Sequence, residues 1–183
     1  ELIRASGDFS IGVAAQPELH HRSTDRQTDR RFLAAKLNMA DFGVTCMVGF
    51  VDYIRKLAEV ADAENLFDRI NLKMIIGHLG TEDRASTEAA WRGAKAYDWY
   101  GVGDTGTIAG EGPERDGLYV WEDAQYLELL DIDSGQPVAT GETGDMVVTC
   151  LFKDDIAPCI RFNTHDITEE LTGSNQTGMV FKR

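Results

Sequence analysis

The chain has 183 residues, of which 43% are hydrophobic and 27% charged, an ordinary globular balance that allows one domain or two small ones. Its formal charge of −13 repels phosphate backbones and anionic lipid, so we expect neither nucleic acid nor a membrane surface as a partner. No apolar run approaches the roughly 18 residues of a membrane span. The three cysteines, Cys46, Cys150 and Cys159, form no C-x-x-C motif, which indicates a reduced, cytoplasmic protein with structural cysteines.

The first 45 residues differ from the rest in charge. Six acids balance six bases up to Thr45, so the whole net charge of −13 lies after it. The predicted elements of this part are a strand over residues 9–15, a loop over 16–28, a helix over 29–39 and a strand over 42–48. This order is typical of a parallel α/β sheet or barrel. We place a boundary between two segments of different origin near residue 45, which gives segments 1–45 and 46–183.

After this boundary the chain alternates strand and helix and then becomes rich in strands. Apolar residues at helical spacing predict an amphipathic helix from Phe50 to Val60. Thr81 is a suitable N-cap for a second helix that ends near Trp91. Predicted strands cover residues 72–76, 97–100, 117–121, 125–131, 146–152 and 159–162, and residues 172–178 form a loop. The sequence therefore predicts an α/β fold, with a partial α/β sheet layer followed by a mostly antiparallel, strand-rich part.

Two short segments carry residue types that suit a nucleotide site. In residues 97–106 (YDWYGVGDTG), closely spaced glycines allow backbone to approach a ligand, Tyr100 can stack on a flat ring, and Asp104 can hold a hydroxyl or a magnesium–phosphate group. Asp166 follows a predicted buried strand, where one carboxylate offers two acceptors to a sugar diol. The alternatives are a glycine-rich turn with an exposed acid and an Asp that forms a turn or caps a helix.

Taken together, four ordered motifs resemble the phenylacetate–CoA ligase family of adenylate-forming enzymes. They are residues 100–104 (YGVGD), similar to Tyr-Gly-x-(Ser/Thr)-Glu, then 117–123 (GLYVWED), 141–149 (GETGDMVVT) and 160–166 (IRFNTHD). The resemblance runs from about Val44 to Arg183. It departs from the family at Asp104, which is shorter than the usual Glu, and at Gly103, which replaces a hydroxyl residue.

This resemblance implies activation of an aromatic acid with ATP and magnesium, through an acyl-adenylate, followed by transfer to coenzyme A. Tyr100 would flank the adenine, Asp104 would assist magnesium or phosphate, and Asp166 would bind the ribose. The implied nucleotide-binding set is Tyr100, Gly101, Asp104, Thr105 and Asp166, and the implied acid-pocket set is Gly77, His78 and Gly80. The family also has an upstream phosphate-binding loop and a C-terminal lid with a catalytic Lys, neither of which is found here. We therefore expect ligand binding rather than autonomous ligase activity.

Residues 9–45 resemble a different family, the flavin-dependent methylenetetrahydrofolate reductases. The similarity lies in residues 11–20 (IGVAAQPELH) and 40–45 (ADFGVT), with Asp29 and Lys36 between them. It implies that His20, Asp29 and Lys36 descend from flavin-contact positions. About 40 residues supply only one part of an eight-stranded barrel, so we expect no bound FAD, and a solvated loop is the alternative for His20.

Three hypotheses remain open at this stage. The chain is a ligase-derived domain that binds an adenine nucleotide or an aryl acid, a non-catalytic structural protein, or a flavin-binding remnant. A structural protein would present unpaired sheet edges and apolar faces, which predicts a homo-oligomer or a partner that supplies missing segments.

Overall fold

A computed structural model describes residues 11–13, 39–79, 81–154, 157–171 and 180–182. Within these ranges the chain divides into two compact units, Glu1–Tyr97 and Asp98–Arg183. No helix in the described ranges is long and apolar enough to cross a membrane. The predicted boundary near residue 45 concerns the origin of the segments and stays a prediction.

The first unit is a parallel sheet with helical connections. Strand β1 (Ile11–Val13) pairs in parallel with β2 (Cys46–Phe50), and β2 pairs in parallel with β3 (Met74–His78). Helix α1 (Val51–Ala63) and a short 3-10 helix (Phe67–Arg69) form the crossover from β2 to β3 that parallel pairing requires. Helix α2 (Thr81–Ala90) follows β3 and leads to strand β4 (Lys95–Val102).

Apolar residues at helical spacing fix α1 against the core of this unit. Its buried side chains are those of Val51, Tyr53, Ile54, Leu57, Ala58 and Ala61. The helix ends at Ala63, Asn65 just beyond it has a left-handed backbone with φ of 55°, and the Leu66 N–H donates to the Ala61 carbonyl at 2.9 Å. This pattern satisfies carbonyls that the last helical turn leaves without partners.

Trp91 ties the end of α2 to α1. Its indole Nε1–H donates to the Ile54 carbonyl at 3.1 Å, and the ring is 3% exposed. The Phe67 ring meets Trp91 edge to face at 5.7 Å, and the Arg92 guanidinium lies 4.2 Å from the centre of the Phe67 ring. Trp91 and Phe67 therefore pack into the same apolar core as the buried side chains of α1.

The second unit is an antiparallel sheet. Its strands after β4 are β5 (Gly106–Glu111), β6 (Leu118–Val120), β7 (Gln125–Leu130), β8 (Thr143–Cys150), β9 (Phe162–Glu170) and β10 (Val180–Lys182). Their pairing gives the order β4-β5-β6-β10-β9-β8-β7, and every pair is antiparallel. Ile108, Met146 and Val148 are fully buried at the centre of its core.

The predicted fold class is confirmed, whereas several predicted boundaries are wrong. The strand predicted over residues 42–48 begins at Cys46, because Gly43 takes a left-handed φ of 61° and Phe42 is 74% exposed. The strand predicted over 159–162 begins at Phe162 and continues to Glu170. Strand β5 was not predicted. The loop predicted over residues 16–28 and most of the helix predicted over 29–39 lie outside the described residues.

Candidate functional site

A bulge between β8 and β9 positions Asp166. Asp145 pairs with Ile167 and Val147 pairs with Asn163, so three residues of β9 stand opposite Met146 alone. A bulge of this kind bends its strand and redirects the side chains within it. Asp166 therefore lies inside a strand, and the predicted turn at this position is wrong.

Side-chain hydrogen bonds hold the bulge in shape. The Thr164 hydroxyl donates to the Met146 carbonyl at 3.0 Å and accepts the Asp166 N–H at 3.3 Å. His165 has a left-handed φ of 61°, and its N–H donates to Asn163 Oδ1 at 2.6 Å. A non-glycine residue in this backbone region costs free energy, which the surrounding hydrogen bonds offset.

Tyr100 and Asp166 meet at this point. The Tyr100 hydroxyl donates to Asp166 Oδ2 in a short hydrogen bond that links β4 to β9, although the two residues are 66 positions apart in the chain. The Tyr100 ring is 3% exposed within the core of the second unit, whereas Asp166 is half-buried. The tyrosine thus orients one carboxylate oxygen, and lone pairs of the carboxylate remain to accept further hydrogen bonds. Stacking of Tyr100 on an adenine ring stays a prediction.

Gly101 is required by the packing of backbone against backbone. A Cβ atom at this position would lie 2.4 Å from the Gly106 carbonyl oxygen and 2.9 Å from Thr107 Cα. The register of β4 and β5 shifts between Tyr100 and Gly101, which brings the two strands into this close approach. The packing of the two strands therefore explains why this position is glycine, independently of any ligand.

The turn from β4 to β5, residues 103–105, carries the predicted phosphate and metal position. Asp104 is exposed at this turn, and Thr105 is 2% exposed. Lys153 Nζ donates to the Asp104 carbonyl at 2.8 Å. Gln125 Nε2 donates to the carbonyls of Thr105 at 3.2 Å and Thr107 at 3.1 Å. The turn is thus anchored through its backbone, and the Asp104 side chain projects from an ordered support.

The predicted acid-pocket residues lie in the first unit. Gly77 pairs with Gly49 and His78 pairs with Phe50, at the carboxyl ends of the parallel strands β3 and β2. The rings of Phe50 and His78 stack with centroids 5.3 Å apart. A Cβ atom on Gly77 would lie 2.9 Å from the Gly49 carbonyl oxygen, so this position also needs glycine. Ligands of α/β sheets commonly bind at this edge.

Several predicted residues cannot be placed. Gly80 and the three positions of the reductase resemblance, His20, Asp29 and Lys36, lie outside the described residues. Among the described residues, no three acids, cysteines or histidines form a cluster that could hold a metal ion. Asp104 as a magnesium ligand therefore stays a prediction.

A shallow cavity of about 220 Å³ lies elsewhere on the second unit. It is lined by Tyr126, Leu127, Glu128, Leu129, Pro137, Val138, Ala139 and Glu170. None of these belongs to the predicted nucleotide set.

The side chains that support the turn at residues 103–105 were not predicted from the sequence. In β7 every second side chain is buried, beginning with Gln125 and continuing with Leu127 and Leu129. A polar residue at a position where the pattern calls for an apolar one was the sequence signal that could have identified Gln125. Cys150 Sγ lies 3.7 Å from the Thr105 carbonyl oxygen, and Cys159 Sγ lies 3.3 Å from the Asp104 carbonyl oxygen. These contacts depend on which distant segments meet in the folded chain, which spacing along the sequence does not reveal.

Comparison with known proteins identifies relatives among acyl-CoA ligases. The chain is 30% identical over 145 residues to phenylacetate-coenzyme A ligase of Pseudomonas putida, covering 73% of this chain and 32% of that enzyme. It is 35% identical over 91 residues to the Escherichia coli enzyme of the same name, covering 46% of this chain and 20% of that enzyme. The chain thus spans about a third or less of the length of these relatives. No protein-family model matches it.

Solved structures show the same fold. A 2-hydroxyisobutyryl-CoA ligase in complex with 2-HIB-AMP and CoA matches with a TM-score of 0.71 and 22% identity, over 87% of this chain and 38% of that one. An anthranilate CoA ligase in complex with anthranoyl-AMP matches with a TM-score of 0.55 and 15% identity, over 84% of this chain and 32% of that one. The mixed α/β architecture is that of the N-terminal domain of such ligases.

Proposed function

We propose that the chain is the nucleotide-binding part of an ATP-dependent, adenylate-forming CoA ligase that acts on an aryl acid of the phenylacetate type. The observation that carries this proposal is the Tyr100–Asp166 pair, which a bulge in β9 places beside β4. The sequence similarity to phenylacetate-coenzyme A ligases supports the substrate class. The proposal for this chain is binding of the adenine nucleotide.

Asp166 is the proposed acceptor for the ribose hydroxyls. A carboxylate has two oxygens with about four lone-pair positions, so it accepts two hydroxyls in addition to the Tyr100 hydroxyl. Hydrogen bonds to an ionised acceptor are about twice as strong as neutral ones. Because Tyr100 is buried, it holds the carboxylate in one orientation before the nucleotide arrives.

The turn at residues 103–105 is the proposed position of the phosphate and its magnesium ion. One exposed carboxylate, Asp104, fits this use because magnesium is commonly held by one or two carboxylates together with the phosphates of the substrate. A bound magnesium ion would neutralise phosphate charge there. Lys153 and Gln125 hold the backbone of the turn, so their proposed role is positioning.

The carboxyl ends of β2 and β3 are the proposed contact for the aryl acid. Gly77 and Gly49 pair in close backbone contact at this edge, and the stacked rings of Phe50 and His78 offer an aromatic surface beside them. Gly80 completes the proposed set. Coenzyme A would be the second substrate of the whole enzyme, since related ligases have been solved with it.

Calorimetric titration with AMP and magnesium tests the nucleotide site. We expect saturable binding in the parent chain and a loss of affinity of about tenfold or more in Asp166→Ala, since a charged hydrogen bond contributes about 1.5–3 kcal/mol. Tyr100→Phe should weaken binding less, because it removes only the group that orients the carboxylate. Asp133→Asn is the control, because Asp133 is an exposed acid in the loop between β7 and β8.

Two results would count against the nucleotide site. Absence of heat in the parent chain would show that the similarity to ligases reflects ancestry without nucleotide binding. An equal loss of affinity in Asp166→Ala and Asp133→Asn would show that net charge, rather than the position of Asp166, governs the response.

A structural, self-associating protein is the second candidate, and exposed apolar side chains favour it. Leu151, Phe152 and Ile160 are 57%, 61% and 72% exposed and flank the backbone pair of Cys150 and Cys159. Such apolar groups promote association when they form a contiguous patch. A light-scattering mass above that of one chain, reduced by Phe152→Ser, supports this candidate, and a monomeric mass for the parent excludes it.

A further inference from the structure

The side chains of Cys150 and Cys159 converge beneath the turn at residues 103–105. The Cys150 N–H donates to the Cys159 carbonyl at 2.9 Å, so the two backbones are direct neighbours. One backbone hydrogen bond of this length makes the two cysteines adjacent, and a disulfide spans Cα separations of about 4.4–6.8 Å. Both cysteines are reduced.

The two thiols also contact consecutive carbonyls. Cys159 Sγ lies 3.3 Å from the Asp104 carbonyl oxygen and Cys150 Sγ lies 3.7 Å from the Thr105 carbonyl oxygen, which brings both sulfur atoms to one turn. Burial, and then the charge of Cys159 and a hydrogen bond with it, raise the pKa of the Cys150 thiol. The two thiols therefore lie at the same turn, each against one of two consecutive carbonyls.

Cys159 lies close to the surface although its side chain is buried. It is 8% exposed, whereas Pro158 and Ile160 beside it are exposed and the segment lies outside the strands. A thiol covered by a surface segment is reached by a small oxidant through a local opening. Cys46 differs, because it lies in β2 of the first unit and is 2% exposed.

We infer that Cys150 and Cys159 form a reversible disulfide under oxidising conditions, and that the disulfide loosens the turn at residues 103–105. A small organic disulfide, such as oxidised glutathione, is the oxidant. One cysteine, as its thiolate, attacks a sulfur of the small disulfide, whose S–S bond breaks; a mixed disulfide forms, and a small thiolate leaves with the bonding electron pair and takes up the proton that the cysteine lost. The other cysteine, as its thiolate, attacks the protein sulfur of the mixed disulfide; the protein S–S bond forms, the mixed S–S bond breaks, and a second small thiolate leaves and is protonated in the same way.

The effect on the turn follows from the loss of both S–H groups. In the reduced protein they face the Asp104 and Thr105 carbonyls. After oxidation the two carbonyls retain Lys153 and Gln125 as donors. The consequence for nucleotide affinity rests on the proposed function, whereas disulfide formation does not.

Alkylation with iodoacetamide in denaturant, which exposes all three cysteines, followed by mass spectrometry, tests the disulfide. We expect three modified cysteines in the reduced chain and one, Cys46, after incubation with oxidised glutathione, with Cys150 and Cys159 in one cross-linked peptide. Cys46→Ala should retain this cross-link, and Cys159→Ala and Cys150→Ala should each abolish it. Three modified cysteines after oxidation, or a cross-link that includes Cys46, would overturn the inference.

Amide hydrogen exchange tests the effect on the turn. Exchange at residues 103–105 should be faster by on the order of fivefold in the oxidised form, as expected for loss of about one net hydrogen bond, and should return to its original rate on reduction. Unchanged exchange in a protein that carries the cross-link would overturn the coupling.

The AMP affinity of the oxidised chain should fall by a similar factor. Failure of the reduced chain to bind AMP would count against the proposed function alone, because mass and exchange still decide the disulfide.

Discussion

Two nearby glycines, Gly101 and Gly103, have different structural roles, and the stabilities of their alanine variants should show the difference. A Cβ atom on Gly101 would collide with the backbone of Gly106 and Thr107, whereas one on Gly103 would meet nothing within 4 Å. We expect Gly101→Ala to lower the free energy of unfolding by about 2 kcal/mol or more, because backbone cannot yield as a flexible side chain does.

Gly103→Ala is the matched control and should change stability by less than about 0.5 kcal/mol. Urea denaturation of both variants measures the difference. Equal stability of the two variants would show that the close approach of β4 and β5 is absent in solution.

Gln125 anchors the β4–β5 turn through two side-chain hydrogen bonds. Its side chain is 1% exposed, and its amide donates to two carbonyls, those of Thr105 and Thr107. Gln125→Ala should reduce stability by about 1–3 kcal/mol, because buried carbonyls lose a donor. Gln136→Ala, at an exposed position, is the control for the same substitution.

Thermal unfolding of both glutamine variants checks this prediction. A melting temperature for Gln125→Ala that matches the parent would contradict the proposed anchoring.

At the scale of elements, the bulge in β9 is the device that positions Asp166. Thr164→Val keeps the shape of the side chain and removes the hydroxyl that joins the Met146 carbonyl to the Asp166 N–H. We expect AMP affinity to fall about threefold to tenfold, since loss of one net hydrogen bond is worth about 1 kcal/mol and Asp166 becomes less fixed.

Thr143→Val, an exposed exchange on the neighbouring strand β8, is the control and should bind AMP like the parent. Calorimetry of the two variants measures the effect. Unaltered affinity in Thr164→Val would show that the hydrogen bonds of the bulge do not position the carboxylate.

The same elements show how far the sequence alone could lead. Helical spacing predicted α1, whose apolar residues face the core of the first unit, and the strand predicted over residues 125–131 is β7, whose apolar residues face the core of the second unit. Strand β5 was missed because its sequence, GTIAGE, contains small residues and little apolar alternation. The bulge in β9 was missed because it arises from pairing with β8, and this pairing turns a predicted turn residue, Asp166, into a strand residue.

At the scale of the whole molecule, each unit has its own apolar core. Leu57 is fully buried in the core of the first unit and Val148 in that of the second. We expect Leu57→Ala to cost about 2–5 kcal/mol and to accelerate amide exchange first in β2 and β3. Val148→Ala should act first on β7 and β8.

Residue-resolved hydrogen exchange distinguishes the two variants. Identical exchange patterns would show that the chain unfolds as one cooperative unit, contrary to this prediction.

The central claim for the whole molecule is that Asp166 binds the ribose of an adenine nucleotide. Its most direct test compares AMP with 2′,3′-dideoxy-AMP, by calorimetry, in the parent chain and in Asp166→Ala. We predict that the parent prefers AMP by about tenfold or more and that Asp166→Ala loses this preference, because the proposed contacts of the carboxylate with the nucleotide are the hydroxyls that dideoxy-AMP lacks. Equal affinity of the parent chain for both nucleotides, or the same preference in both proteins, would contradict the claim.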